Sequence, residues 1–186
     1  MSIRISGGRF KGQLIGSPQA ANGVRPTTER VKLAIFSILR TCSVQDKNVL
    51  DLYSCTGALG LEAISRGSAT VDMVEKNFKN YKLILENVKK LDVQDVAKVY
   101  KSTVKEFLNH INKKYELILV DPPFELNEWE NILMNIGQRG ILNSGGVLVA
   151  EHSSSLSLEK KYGELEMLDQ RKYGDSLVSF FEVCNG

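Results

Sequence analysis

An acid, two prolines and an aromatic ring follow one another in the middle of the chain. The preceding run, Tyr115–Val120, is apolar and branched, long enough for a buried strand and too short for a helix. It ends in Asp121, Pro122, Pro123 and Phe124. Prolines cannot extend a strand's hydrogen-bond ladder and they restrict the chain direction, so they hold the acid and the ring at set positions. An acid, a free carbonyl and a flat ring can grip a planar base with an amino group, although a simple proline turn fits the same residues.

A loop of small residues after an earlier strand is the second candidate site. Residues 49–53 form an apolar run that contains Asp51, and the next residues start a helix. The loop consists of Tyr53, Ser54, Cys55, Thr56 and Gly57. A glycine there lets a ligand approach the backbone, and the helix start offers free N–H groups. The loop has neither the lysine of a P-loop nor a GxGxxG pattern, so it favours a nucleoside-type cofactor with a carboxylate and an amino group. Asp51 would meet that charged end directly or through water.

The ends of the next two strands supply further candidates. Glu75 follows an apolar run, and in Rossmann-like folds an acid at this point holds ribose hydroxyls, although alone it also fits a surface acid. Ser102 and Thr103 end the third strand, where we expect the adenine edge of such a cofactor. Cys55 has no neighbouring histidine in the sequence, so we interpret it as a small loop residue and not as a nucleophile. We expect no metal site, because His110 and His152 lack a third ligand nearby.

The elements that would position these residues alternate between strand and helix. Strands are predicted at residues 49–53, 70–75, 97–102, 115–120 and 147–151, and helices at 58–66, 78–91, 104–112 and 128–138. Such alternation predicts a parallel sheet with helices on both faces. Two strand-like runs, 165–170 and 177–183, predict an antiparallel hairpin at the end of the chain. Before residue 45, a glycine-kinked hairpin over residues 3–15 precedes a helix with Thr27 or Thr28 as its cap and Glu29 in its first turn. We therefore divide the chain into 1–45 and 46–186.

Composition and charge narrow the class of protein. The 186 residues are 42% hydrophobic and 25% charged, which is typical of a soluble domain with an ordinary core. Three isolated cysteines do not suggest a disulfide framework and fit a reducing compartment, and we find neither a signal peptide nor a membrane-spanning run. We therefore expect a cytoplasmic protein. Residues 1–40 hold seven lysines and arginines against one acid, a net +6, which leaves −4 elsewhere. This asymmetry indicates contact with a polyanion, although a solvated basic face is the simpler alternative.

Taken together, the motifs resemble one family of methyltransferases over nearly the whole chain. They are ISGGRFKG, RPTTERVKLAIFSIL, VLDLYSCTGALGLEAISRG, VEK, LVDPPF and RKYGDS. This set resembles the RsmD family of small-subunit ribosomal RNA guanine-N2 methyltransferases, within the class I S-adenosylmethionine-dependent enzymes. The resemblance implies a Rossmann-like sheet of seven mostly parallel strands that ends in an antiparallel hairpin. It also implies methyl transfer from S-adenosylmethionine to a guanine amino group.

The resemblance assigns roles to the candidate residues. It implies that Asp51, residues 53–57 and Glu75 hold the cofactor, with Thr27 as a further contact. Family members often carry an acid where Thr103 stands, so adenine recognition falls to Ser102, Thr103 or backbone groups. Asp121 and the Pro122 carbonyl would each accept one N–H of the guanine amino group, while Pro123 and Phe124 contact the base. The residues expected to hold RNA phosphates are Arg4, Arg9, Lys11, Arg25, Arg30, Arg171 and Lys172.

The expected partner is ribosomal RNA, within an assembling or assembled small subunit, and nothing in the sequence demands more than a monomer. Three alternatives stay open at this point. The same fold with the DPPF motif can methylate adenine N6 or a glutamine amide, because each presents a planar amino group. A second alternative is a non-catalytic assembly factor that binds S-adenosylmethionine and RNA. A third and weaker one is an NAD-type Rossmann enzyme.

Overall fold

The computed structural model describes residues 2–17, 29–39, 44–123 and 125–183. The strands are β1 (Ser2–Arg4), β2 (Leu14–Gly16), β3 (Asn48–Leu52), β4 (Thr70–Val74), β5 (Ala97–Tyr100), β6 (Tyr115–Val120), β7 (Leu142–Ser153), β8 (Lys161–Tyr162), β9 (Leu165–Tyr173) and β10 (Ser176–Val183). The helices are α1 (Glu29–Leu39), α2 (Ala58–Ser65), α3 (Phe78–Lys90), α4 (Val104–His110) and α5 (Trp129–Arg139). None of the described helices is long and apolar enough to cross a bilayer.

One large sheet organises the molecule, in the order β5-β4-β3-β6-β7-β10-β9-β8. Strands β3 to β7 pair in parallel, whereas β10 lies antiparallel between β7 and β9. The predicted α/β fold with its C-terminal antiparallel hairpin is therefore confirmed, and the two-residue β8 adds an eighth strand at the edge. The chain runs outward from β3 to β5 and then crosses to β6. In such sheets a ligand binds where this reversal occurs, at the carboxyl ends of the strands.

Side chains alternate between the two faces of the sheet, as the period of a strand requires. Val49 and Leu117 belong to the hydrophobic cluster that also contains the buried residues of α1, α2 and α3. Leu50 and Ile118 belong to the opposite cluster, with those of α4 and α5. Helices thus cover both faces. The central strands β3, β4 and β6 are almost completely buried, which explains why they are nearly continuous apolar runs in the sequence, whereas the edge strand β5 is only partly buried.

The N-terminal hairpin packs on the sheet domain through a buried ion pair. Lys32 in α1 lies 3.0 Å from Glu62 in α2, and both side chains are inaccessible to solvent. The ammonium group also donates to the Arg4 carbonyl at 2.6 Å, while Glu62 accepts hydrogen bonds from the backbone and hydroxyl of Ser6. Burial favours the neutral acid, but these bonds and the charge of Lys32 outweigh it and lower the pKa of Glu62. The hairpin therefore has a fixed position beside α2.

The C-terminal hairpin is longer and tighter than the sequence predicted. Strand β9 continues to Tyr173, so Arg171 and Lys172 lie in the strand and not in a loop. Tyr173 pairs with Ser176, which leaves a two-residue turn with Gly174 at a φ of 63°. A positive φ at a hairpin turn favours glycine, and the turn geometry in turn sets the register of the strands. Strand β7 likewise begins at Leu142, earlier than the predicted residue 147.

Candidate active site

A cleft of about 740 Å³ opens at the carboxyl edge of the sheet, where β3 and β6 lie side by side. The proline tip after β6 and the small-residue loop after β3 both line it. The sequence-predicted residues in its wall are Arg30, Asp51, Tyr53, Ser54, Cys55, Thr56, Glu75, Ser102, Asp121, Pro122 and Pro123. Residues far apart in the sequence therefore line the same cavity. The volume of this cavity is typical of a binding site for a small-molecule cofactor.

The small-residue loop takes an unusual backbone path. Tyr53 and Cys55 have φ values of 62° and 50°, and Gly57 has 77°. A left-handed conformation at a non-glycine residue costs of the order of 1 kcal/mol and tends to occur at ligand sites. Ser54 holds the loop, because its hydroxyl donates to the Asp51 carbonyl at 2.7 Å and accepts the Val74 N–H at 3.1 Å. Gly57 lies outside the cleft wall and caps the start of α2.

Asp51 is the most unusual titratable group of the cleft. Its side chain is buried, one carboxylate oxygen accepts the Gly60 N–H at 3.0 Å, and the other oxygen has no hydrogen-bond partner among the described residues. The pKa of Asp51 is raised to about 7, chiefly by burial and in part by the charges of Asp121 and Glu75, while the hydrogen bond from Gly60 opposes the rise. A cationic ligand group beside Asp51 would relieve the cost of ionising it.

Glu75 is buried at the end of β4 and fixes the outer wall of the loop. One of its oxygens accepts the Cys55 N–H at 2.9 Å, and the other accepts the Asn77 N–H at 2.6 Å. Each oxygen keeps a further lone pair for a ligand hydroxyl. Burial, together with the nearby charges of Glu75, Asp121 and Asp51, raises the pKa of the Cys55 thiol to about 12. The thiol is therefore protonated at neutral pH and is not an activated nucleophile.

The proline tip begins beside β3. The Asp121 N–H lies 3.5 Å from the Leu52 carbonyl, which is the last contact between the two strands. Pro123 accepts the Leu126 N–H at 3.0 Å, so its carbonyl belongs to the turn. No hydrogen bond to the Pro122 carbonyl is found within the described part of the chain. Phe124, the fourth residue of the motif, lies outside the described residues.

Several predicted contacts lie elsewhere. Thr103 is absent from the cleft wall: its hydroxyl donates to the Glu106 carboxylate at 2.8 Å, and the pair forms a capping box at the start of α4. Thr27 and Arg25 lie outside the described residues. Of the basic residues, Arg30 lines the cleft, whereas the others that the structure describes are exposed on the N-terminal hairpin and on β9. These are Arg4, Arg9, Lys11, Arg171 and Lys172.

The structure also adds wall residues that the sequence did not indicate. Glu151 in β7 lines the cleft, as do the residues of the C-terminal hairpin turn, 173–176. The RKYGDS motif pointed to the turn but not to its place in the wall. In the sequence, Glu151 was marked only by its position at the end of a predicted strand. Which residues surround it in space depends on the order of the strands in the sheet, and the sequence pattern does not give that order.

Comparisons with known proteins agree with the geometry. The family described as "Conserved hypothetical protein 95" matches residues 3–182. Ribosomal RNA small subunit methyltransferase D of Escherichia coli K12 is 35% identical over 138 residues, which cover 73% of this chain and 68% of that protein. A solved candidate methyltransferase from Escherichia coli superposes with a TM-score of 0.89 at 24% identity, over 98% of both chains. A candidate methyltransferase solved with SAH has a TM-score of 0.67 at 17% identity, over 87% of this chain and 50% of that one.

Proposed function

The chain belongs to the conserved hypothetical protein 95 family, the RsmD family of methyltransferases, and we propose that it methylates N2 of a guanine in small-subunit ribosomal RNA. The proposed methyl donor is S-adenosylmethionine. The observation that carries the proposal is the single cleft shared by the Asp121 tip, the small-residue loop and Glu75. A base acceptor and a nucleoside cofactor can meet there.

The cleft fits the proposed cofactor. The Asp51 oxygen that has no partner among the described residues suits the amino group of the methionine end, and Glu75 suits the ribose hydroxyls. Ser102 lies in the wall on the side proposed for the adenine, while Thr27 and Thr103 stay predictions. S-adenosylmethionine, when bound, supplies a methyl group on a positively charged sulfur. The protein therefore has to supply only binding, orientation and local charge.

Asp121 and Pro122 are the proposed catalytic groups. The lone pair of a guanine amino nitrogen is delocalised into the ring, so the nitrogen is a poor nucleophile. If the Asp121 carboxylate and the Pro122 carbonyl each accept one N–H, the nitrogen is held with its lone pair towards the cofactor side. Positioning of this kind can lower a barrier by several kcal/mol. The Asp121 carboxylate also stabilises the positive charge that develops on the nitrogen.

The target base has to leave its stack to reach this tip. We propose that Pro123 and Phe124 contact the face of the base. The exposed cations of the hairpin, together with Arg30 at the cleft, are proposed to hold the RNA phosphates. Their exposure supports this role, because an exposed cation is accessible to a phosphate.

A label-transfer assay tests the proposal against its alternatives. The protein is incubated with radiolabelled S-adenosylmethionine and with small ribosomal subunits, protein-free ribosomal RNA, DNA or total protein. We expect label in ribosomal RNA, and we expect S-adenosylmethionine but not NAD to raise the melting temperature. Label in DNA or protein contradicts the proposed acceptor. Cofactor binding without any label favours a non-catalytic assembly factor.

A further inference from the structure

Glu151 lies beside Asp121 in the sheet. Val120 of β6 pairs with Ala150 of β7 in parallel register, so the next residue of each strand, Asp121 and Glu151, are neighbours at the carboxyl edge. Neighbouring strands are about 4.8 Å apart. Val149, two residues before Glu151, belongs to the same face of the sheet as Leu119, two residues before Asp121. Both acids thus project from one face, and both line the cleft.

The Glu151 carboxylate is held in a fixed orientation. Its side chain is only 5% exposed, and one oxygen, Oε1, accepts the Ser176 hydroxyl at 3.0 Å. Ser176 itself is buried and follows the hairpin turn that lines the same cleft. Burying a carboxylate is costly unless it serves hydrogen-bond donors. Because Glu151 also lines the cleft, its carboxylate is within reach of a donor on a bound ligand.

Guanine offers donors in the matching arrangement. Its Watson–Crick edge carries the N2 amino group and, directly beside it, the N1–H. Adenine carries an unprotonated N1 at that place, which is an acceptor. Two adjacent carboxylates can therefore accept the two kinds of N–H on this edge of guanine, whereas one of them would face the N1 lone pair of adenine.

We propose that Glu151 accepts the N1–H of the target guanine while Asp121 and Pro122 hold N2, and that Glu151 thereby selects guanine over adenine-like bases. This inference rests on the proposed function. A site built to hydrogen-bond a substrate N–H strongly rejects an analogue that lacks it, because a buried polar group then loses its partner. With adenine-like bases, the carboxylate would in addition face the lone pair of N1.

The test removes the N1–H donor from the base and, separately, replaces the carboxylate acceptor on the protein. RNA carrying the target guanine is compared with RNA carrying 2,6-diaminopurine there, which keeps the 2-amino group but has no proton on N1. In Glu151→Gln, Ser176 retains the amide oxygen and turns the amide N–H₂ towards the base. We expect the wild-type protein to favour guanine at least about tenfold in kcat/KM, and Glu151→Gln to lower or reverse that preference.

Matched controls separate recognition from folding. Glu164→Gln makes the same chemical change at an exposed residue outside the cleft wall and should keep the wild-type preference. Ser176→Ala keeps the carboxylate but removes its anchor, so we expect the guanine preference to fall without being lost. Cofactor binding and the melting temperature of each variant show whether the cleft is intact.

The outcomes distinguish this inference from the proposed function. If Glu151→Gln and Ser176→Ala lower the rates on both bases by the same factor, Glu151 has only a structural role and the inference is overturned. If the wild-type protein methylates no guanine RNA at all, the proposed function itself fails. A base preference that changes in the Glu151 variant, with cofactor binding retained, supports the inference.

Discussion

Asp51 has the properties expected of a buried acid at a binding site for a cationic ligand group. Its carboxylate is out of contact with solvent, and one of its two oxygens accepts the Gly60 N–H. The other oxygen has no partner among the described residues. Such a residue destabilises the ligand-free fold and favours a cationic ligand group. Strongly shifted pKa values of this kind are typical of functional sites.

The pH dependence of stability should reveal Asp51. Because the pKa is about 7 in the folded protein and 3.8 in the reference state, the folded protein binds more protons between these values. Its free energy of unfolding should therefore fall as pH rises from about 4 to 7, by on the order of 4 kcal/mol from this group. Asp51→Asn keeps an acceptor for Gly60 and has no charge to bury.

Urea unfolding of both proteins without cofactor, at a series of pH values, measures the difference. The stability of Asp51→Asn relative to the wild-type protein should increase between pH 4 and 7 and then level off. The difference reports Asp51 together with Asp121 and Glu75, whose charges interact with it, because the remaining groups titrate equally in the two proteins. A difference that does not change with pH would show that Asp51 does not carry the shifted pKa.

Asp121 should matter for turnover and not for cofactor binding. Asp121→Ala removes one of two acceptors for the amino group, so methyl transfer should fall on the order of 100-fold or more. Calorimetric binding of S-adenosylmethionine should stay close to wild type, because Asp51 and Glu75 are unchanged. Asp95→Ala, at an exposed acid outside the cleft, is the control. Unchanged turnover in Asp121→Ala would remove this residue from the mechanism.

At the scale of elements, the N-terminal hairpin depends on a close contact with the end of α2. Arg9 donates its N–H to the Ser65 carbonyl at 2.8 Å, and the Phe10 N–H donates to the Ser65 hydroxyl at 2.9 Å. Gly8 directly precedes Arg9 and has a φ of 74°. A β-carbon at Gly8 would lie 1.7 Å from the Ser65 carbonyl oxygen, so the backbone itself fills the space.

Two glycine substitutions separate steric contact from backbone strain. Gly12 also has a positive φ, 90°, but a β-carbon there would have no atom of the described residues within 4 Å. Gly12→Ala should therefore destabilise the protein by about 1–2 kcal/mol through strain alone. Gly8→Ala should destabilise it by at least about 2 kcal/mol more and expose the hairpin to proteolysis. Equal losses of stability in urea unfolding would contradict the described docking of the hairpin.

The sequence predicted the positions of strands and helices well, but it predicted poorly which residues lie next to each other in space. Apolar runs and glycines located the strands, the loop at residues 53–57 and the tip at Asp121, because these signals are local. The sequence did not identify Glu151 as a site residue, because only strand order and register place it beside Asp121. Thr103 was assigned to the cofactor although Glu106 follows three residues later, which is the local signal of a capping box. The extension of β9 to Tyr173 depends on its pairing with β10, which no local pattern specifies.

At the scale of the whole molecule, the distribution of charge favours a polyanionic substrate. The first 40 residues carry a net charge of +6, while the rest of the chain carries −4. Arg9 and Lys11 are exposed on the hairpin, and Arg30 lines the cleft. We propose that the hairpin holds substrate phosphates while the target base enters the cleft, whose acids would otherwise repel RNA. The basic segment would supply affinity, and the cleft would supply recognition.

The salt dependence of RNA binding should report this arrangement. Arg9→Gln should weaken binding to all RNA sequences alike and should reduce the slope of log affinity against log salt by about 1, because one phosphate contact is lost. Lys161→Gln, at an exposed lysine on the edge strand β8, should leave the slope unchanged. Filter binding over a range of salt concentrations measures both. An unchanged slope for Arg9→Gln would exclude a phosphate contact at this residue.

Nucleoside analysis of the product tests the central claim most directly. Small subunits from cells that lack this protein are incubated with the purified protein and S-adenosylmethionine, and their RNA is digested to nucleosides for mass spectrometry. The predicted result is the appearance of N2-methylguanosine with the wild-type protein and its absence with Asp121→Ala. The appearance of N6-methyladenosine, or of no methylated nucleoside at all, would contradict the account.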